Sequence, residues 1–263
     1  MNAPTAALDE RRQRIKDEFT ANRGYWTPLW DTVLEMSPEF FEAYMKLSSV
    51  PWKTGTLDPK VREFIYIAID TSTTHLYEPG TRIHIRNALR LGATREEIME
   101  VLQLTSVLGV HTMTMGLPAL VDVMRKLGRA AEYENQKLTP RQEKMKAEWI
   151  ASRGFWADLP EYMLRFAPDF FETYVEFSSV PWKTGTLEPK VRELIYVAID
   201  AATTHLHEEG TRIHMENALR HGATPAEIVE VLSLVSVLGM HTITMGVPLL
   251  MEETGQANPN KLA

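Results

Sequence analysis

The chain has 263 residues, 44% of them hydrophobic and 24% charged, and a formal net charge of −7. An acidic chain with no basic stripe or tail argues against nucleic acid and against general attraction to anionic membranes. There is no cysteine, which excludes disulfides, thiolate nucleophiles, dithiol redox chemistry and Cys-ligated zinc or iron–sulfur centres.

The N-terminal stretch MNAPTAALDERRQRIKDEF is polar and unlike a signal peptide. No run of about 18 apolar residues stands out, so no membrane span is predicted and a cytoplasmic location is expected. The first clear helix start is SPEFFEAYMKLSSV (37–50), a Ser-Pro-acid opening. DPKVREFIYIAIDTSTTHL (58–76) starts another helix and continues as a long apolar segment up to Glu78-Pro79-Gly80. FIYIAI alone would pass for a buried strand, but its length and the lack of turn residues favour helix. GTRIHIRNALRLG (80–92) reads as a short helix closed by Gly92 in a left-handed cap. Thr94 then caps TREEIMEVLQLTSVLGVHTM, with Glu97 completing a capping box.

The same elements then recur. PWKTGTLDPKVREFIYIAID (51–70) matches PWKTGTLEPKVRELIYVAID (181–200) at 17 of 20 positions. The offset of 130 holds without a gap through EVLQLTSVLGVHTMTMGLPAL (100–120) and EVLSLVSVLGMHTITMGVPLL (230–250). It holds more weakly from NRGYW and SRGFW onward. Two tandem units, 1–138 and 139–263, are therefore predicted, each all-α with six or seven helices.

Polar residues interrupt the apolar helix in a pattern. Glu63, Tyr66, Asp70 and Thr74 share one helical face, and Glu193, Tyr196, Asp200 and Thr204 repeat it. A solvated face would explain such a stripe; so would carboxylates held against a helix bundle, whose raised pKa suits proton transfer. Six of the eight histidines pair at the repeat offset: His75/His205, His84/His214 and His111/His241. They are either satisfied core groups or functional ones. With a carboxylate they would suit zinc, iron or manganese. Their spacings of 9 and 27, however, match no short motif that sets two ligands on one helix turn. Lys53/Lys183, Arg62/Arg192 and Arg82/Arg212 are cations that would hold an anionic substrate. Ion pairs with Glu63 or Asp70 are the simpler reading of Arg62. Glu100 lies on the face of His111, three turns or ~16 Å away, so it is expected at an interface or core edge.

The run HIRNALRLGATREEIMEVL (84–102), followed by LGVH…GLPAL (108–120), resembles the carboxymuconolactone decarboxylase family. Both repeats carry the family's His-x-x-x-Ala-Leu-x-x-Gly signature, with His84 and His214 in the histidine position. The resemblance implies two alkylhydroperoxidase D-like helical repeats. It also implies assembly into a homotrimer that forms a pseudo-hexamer. In the peroxidase branch of that fold a Cys-x-x-Cys pair precedes the histidine. Here those places are Tyr77 and Gly80, and His207 and Gly210, so cysteine-based peroxidase activity is not expected. The segment Thr-His-Leu, with His75, and His111 depart from the decarboxylase pattern.

The expectation that follows is a lyase needing no cofactor, acting on a small carboxylated lactone or aromatic catabolite. His84 and His214 would donate the proton, with Glu63 and Glu193 orienting them or acting as base. Arg82 and Arg212 would anchor the substrate anion, with Tyr66, Tyr196, Asp70 and Asp200 as further substrate contacts. Two alternatives stay open. One is a metal-dependent enzyme using His75, His84 and His111 with His205, His214 and His241; the other is a non-catalytic helical assembly.

Overall fold

A computed structural model describes residues 3–153, 156 and 158–258. Among them all regular structure is helical. In the first repeat the helices are α1 (Ala3–Arg23), α2 (Pro28–Met36), α3 (Pro38–Thr54), α4 (Pro59–Thr71), α5 (Glu78–Arg90), α6 (Arg95–Ser106) and α7 (His111–Lys126). The short α8 (Ala131–Glu134) leads into the second repeat. There follow α9 (Pro140–Arg153), α10 (Asp158–Phe166), α11 (Pro168–Thr184), α12 (Pro189–Ala201), α13 (Glu208–Arg220), α14 (Pro225–Ser236) and α15 (His241–Glu253).

The local signals act where the sequence places them. Prolines at the first turn open α2, α3, α4, α11, α12 and α14, where a missing N–H costs nothing. Asp58 accepts from the Lys60 amide at 2.8 Å at the head of α4. Thr94 and Glu97 form the reciprocal capping box, as do Thr224 and Glu227. Gly92 and Gly222 take φ of 85° and 87° to end α5 and α13.

The chain divides into two compact units that do not follow the repeats. One comprises 1–105 with 187–263, the other 106–186. In the first unit, α1–α3 build a core of Ile15, Phe19, Trp30, Phe41 and Met45, and Met240 joins it, with Ile243 and Val247 of α15 packed alongside. In the second unit, Leu117 of α7 packs with Met145, Trp149, Met163, Leu164 and Phe171 of α9–α11. Each repeat thus lends its last helix to the opening helices of the other.

At the centre of the first unit lie α4 and α12, which pack on each other and on α14. Residues 61–70 of α4 are buried on every side, polar ones included. That is how a fully enclosed helix reads, so the apolar run was a core helix and not a strand. Two ion pairs link the repeats across this centre. Arg62 Nε donates to Glu230 at 2.7 Å, and Arg192 Nε donates to Glu100 at 2.6 Å. Glu230 also accepts from the amides of Thr56 and Leu57, and Glu100 from that of Leu187. Arg62 is an ion-pair residue, but its partner is Glu230 rather than Glu63 or Asp70. Glu100 serves this seam and not His111.

Two continuous helical stretches, Arg95–Lys126 and Pro225–Glu253, are long and apolar enough by length and composition to cross a membrane. This corrects the expectation that no such run exists; it was missed because α6 with α7, and α14 with α15, join through 3-10 turns into single apolar stretches. Half of the second stretch's apolar window is buried inside the protein.

Candidate functional site

The site of the first repeat is built on the buried stripe of α4. Glu63 is enclosed, and its Oε2 lies 2.6 Å from Nδ1 of His84, one helix over on α5. A carboxylate only accepts, so Nδ1 carries the hydrogen and Nε2 is the free working atom of the ring. Asn87, one turn further along α5, donates to the other Glu63 oxygen at 3.3 Å. The His84 ring stacks on Tyr66 with centroids 4.4 Å apart, and Tyr25 meets it edge-on at 6.4 Å. The imidazole is thereby held by a bond on one side and by two aromatic rings, one stacked and one edge-on.

Nε2 of His84 faces Asp70, whose Oδ2 is 4.0 Å away. Both Asp70 oxygens are buried without a hydrogen-bond partner. Burial pushes the Asp70 carboxyl up to about 7; the charge of Glu63 adds to the rise and His84 opposes it. On its other side Asp70 Oδ1 lies 3.8 Å from Nδ1 of His241. His241 shares a 2.7 Å hydrogen bond with Nε2 of His75. Tyr77 stacks on the His241 ring at 3.9 Å, and its hydroxyl donates to Thr244 at 2.6 Å. Burial pulls His241 down to about 3, with His75 and His84 adding to the fall, so this imidazole is neutral at ordinary pH.

The turn between α4 and α5 sets these groups and carries strain to do so. Leu76 adopts φ of 51°, and Leu206 in the second repeat 52°. A left-handed leucine costs roughly 1–2 kcal/mol. It persists because the next amide, of Tyr77 or His207, donates back to the carbonyl of Asp70 or Asp200 at 2.7 or 2.8 Å. Gly80 is needed for space: a Cβ there would sit 2.0 Å from Asp70 Oδ2, and one at Gly210 would sit 2.1 Å from Asp200 Oδ2. The positions that hold a cysteine pair in the peroxidase pattern are here an aromatic wall and a gap filled by a carboxylate.

A cavity of about 90 Å³ opens against the dyad, lined by Arg23, Tyr25, Tyr44, Tyr66, Tyr77, Ile83, His84, Met240, His241 and Thr244 among others. Its walls are aromatic and apolar with few polar groups, the usual make-up of a small-molecule site. Helix α15, from the second repeat, closes it.

The second repeat reproduces the dyad. Glu193 Oε2 lies 2.7 Å from His214 Nδ1, Tyr196 stacks on His214 at 4.6 Å, and His214 Nε2 lies 3.9 Å from Asp200. Asp200 is also faced by His205 at 4.0 Å and His207 at 3.8 Å. His111 belongs to the other compact unit, as the first residue of α7.

Of the residues singled out by sequence, Glu63, Tyr66, Asp70 and His84 come together, as do Glu193, Tyr196, Asp200 and His214. Thr74 and Thr204 leave the stripe and face each other at 3.5 Å. Arg82 and Arg212 do not line the cavity. Arg82 is 72% exposed and paired with Glu78 one turn back, and Arg212 is paired likewise with Glu208. That spacing of four residues was visible in the sequence and captures the arginine on the surface. The expected trio His75, His84 and His111 is not one cluster either. Ligand-type atoms of Asp70, His75 and His241 lie within 4.8 Å of one another, while His84 is committed to Glu63. Arg23, Tyr25, Asn87 and Thr244 were not expected as site residues, and Tyr77 entered only as the place of a missing cysteine. The repeated Arg-Gly-aromatic-Trp of 23–26 and 153–156 was the available signal for the first two.

A model of the carboxymuconolactone decarboxylase family matches residues 38–125 and again 168–240. Among solved structures the chain is similar to a Burkholderia xenovorans protein provisionally assigned as a gamma-carboxymuconolactone decarboxylase subunit. The two are 44% identical with a TM-score of 0.88, over 93% of this chain and 97% of that one. No curated protein sequence matches. With the family model covering more than half of its residues, the chain belongs to the carboxymuconolactone decarboxylase family.

Proposed function

We propose that the protein is a lyase that decarboxylates a small carboxylated lactone or related ring compound by acid–base chemistry. The observation that carries this reading is the buried Glu63–His84 pair, whose imidazole lines an aromatic-walled cavity and keeps Nε2 out of the bond to Glu63. Loss of carbon dioxide breaks the bond between the carboxylate and the ring carbon, and the electron pair passes into the conjugated lactone as a dienolate. His84 Nε2 delivers a proton to the ring and regains it from solvent. Glu63 holds the ring's orientation and stabilises the imidazolium that stands ready before the transfer and is restored by solvent after it. The relative named above is a reason to screen γ-carboxylated lactones first. Carbon dioxide release from such a lactone that persists unchanged in His84→Gln and His84→Gln/His214→Gln would end this reading.

A second reading has an observation of its own. Asp70, His75 and His241 present two imidazoles and a buried, unpartnered carboxylate, a donor set suited to a divalent first-row metal. Mass-spectrometric metal content of protein purified without a His-tag decides it. About one equivalent that is lost in His75→Gln and His241→Gln supports the metal; none supports acid–base chemistry alone.

For assembly, we favour a homotrimer with pseudo-hexameric symmetry. Exposed apolar side chains on α7 (Met115, Leu120, Val123) and on α15 (Met245, Leu249, Leu250) give it contact surface. Light scattering at three chain masses is the expected result.

A further inference from the structure

Arg23 is the cation that the site was missing. It ends α1, is 4% exposed, and lines the cavity. Its Nη1 donates to the Ser48 carbonyl at 3.2 Å. Its Nε is buried without a partner, and among the described residues no carboxylate lies within ion-pair distance of it. The guanidinium packs instead against aromatic faces, 5.0 Å from the Tyr66 ring and 5.4 Å from Trp52. Buried arginines in proteins are paired; this one has no ion-pair partner at contact, and Glu63 and the tyrosines around it act on it through space. Tyr66 is also the ring on which His84 stacks, so cation and imidazole flank the same side chain. The Arg-Gly-aromatic-Trp motif that carries Arg23 is kept in the second repeat at Arg153.

We infer that Arg23 is an anion-binding residue of this cavity, taking a carboxylate of a small ring compound in its planar fork. Guanidinium and carboxylate match in geometry, and the apolar walls strengthen the pairing by excluding water. Tyr25, Tyr44 and Tyr66 supply the faces against which the ring of such a compound lies. That the carboxylate belongs to the substrate of a lyase rests on the reading above; the anion site itself does not.

The test uses benzoate as the anionic probe and benzamide as its neutral counterpart, read by thermal shift and calorimetry on the full chain. Benzoate is expected to raise the melting temperature of the wild type and benzamide not. In Arg23→Met the rise disappears, while the melting temperature without ligand stays level or increases, because a buried charge with no ion-pair partner at contact is gone. Arg23→Lys, which keeps the charge and loses the fork, weakens benzoate binding at least ~10-fold. The lyase reading is decided by carbon dioxide release from a lactone and this one by benzoate binding to wild type and the Arg23 variants, so the two failures are distinguishable. Equal responses to benzoate and benzamide, or an unchanged benzoate response in both Arg23 variants, would overturn the inference. So would a purely structural arginine, seen as lost stability in Arg23→Met with benzoate affinity unchanged in Arg23→Lys.

Discussion

The two dyads of this chain share their geometry and differ in their surroundings. Glu63–His84 and Glu193–His214 have the same bond, the same tyrosine beneath the ring and the same aspartate opposite. Yet the His84 side chain is 6% exposed and that of His214 24%. At the entrance to α5 the first copy has Tyr77, pinned to Thr244; the second has His207, whose Nδ1 accepts from the Gly210 amide. Duplication has kept the Glu–His pair and varied what stands around it. The part of the fold that is constant is therefore the part that positions Glu, Asp and His. The variable part is what a ligand would touch.

That contrast can be broken most forcefully at the imidazoles. His84→Ala is expected to lower turnover by ~10²–10⁴-fold, the usual worth of a positioned acid or base. His214→Ala, at the more open dyad, is expected to cost less; equal losses measured by steady-state kinetics would erase the distinction. The copies should behave alike at their seam. Arg62→Ala and Arg192→Ala each strand a buried carboxylate, Glu230 or Glu100, and each should cost ~3–5 kcal/mol in denaturant unfolding. A large inequality between them would show that the seam is not symmetric.

A smaller effect isolates Asp70. Its carboxyl has an ordinary value of 3.8 and titrates near 7 in the fold, so the native state holds a proton that the unfolded state has released. Stability from this group is full below about pH 4 and is lost as pH rises through about 7. Asp70→Asn removes the loss, so in chelator-treated protein its melting temperature should gain on the wild type between pH 4 and pH 8. A constant difference across that range contradicts the assignment. The smallest change, Tyr77→Phe, removes one half-buried hydrogen bond and should cost about 1 kcal/mol.

Much of this was legible in the sequence because it depends on local spacing. The repeat, the proline starts and the Thr94–Glu97 capping box are written within a few residues of where they act. So is the shared face of Glu63, Tyr66 and Asp70. What was not legible depends on which helix crosses to which core. His241 reaches Asp70, Tyr77 and His75 only because α15 packs with α1–α3. Arg62 finds Glu230, 168 residues away, because α14 packs on α4. Arg82 misled because a basic residue beside an active helix face looks like an anchor, while Glu78 four residues earlier holds it at the surface. Arg23 was hidden by its distance from every other polar residue of interest in the chain.

The most direct test of the central claim is carbon dioxide release from a γ-carboxylated lactone in deuterated water, by chelator-treated wild type and by His84→Gln. Acid–base chemistry at His84 predicts release without added metal, one deuterium at the decarboxylated ring system, and a loss of at least ~100-fold in the variant. Release that requires zinc or iron, or that His84→Gln leaves intact, would contradict it.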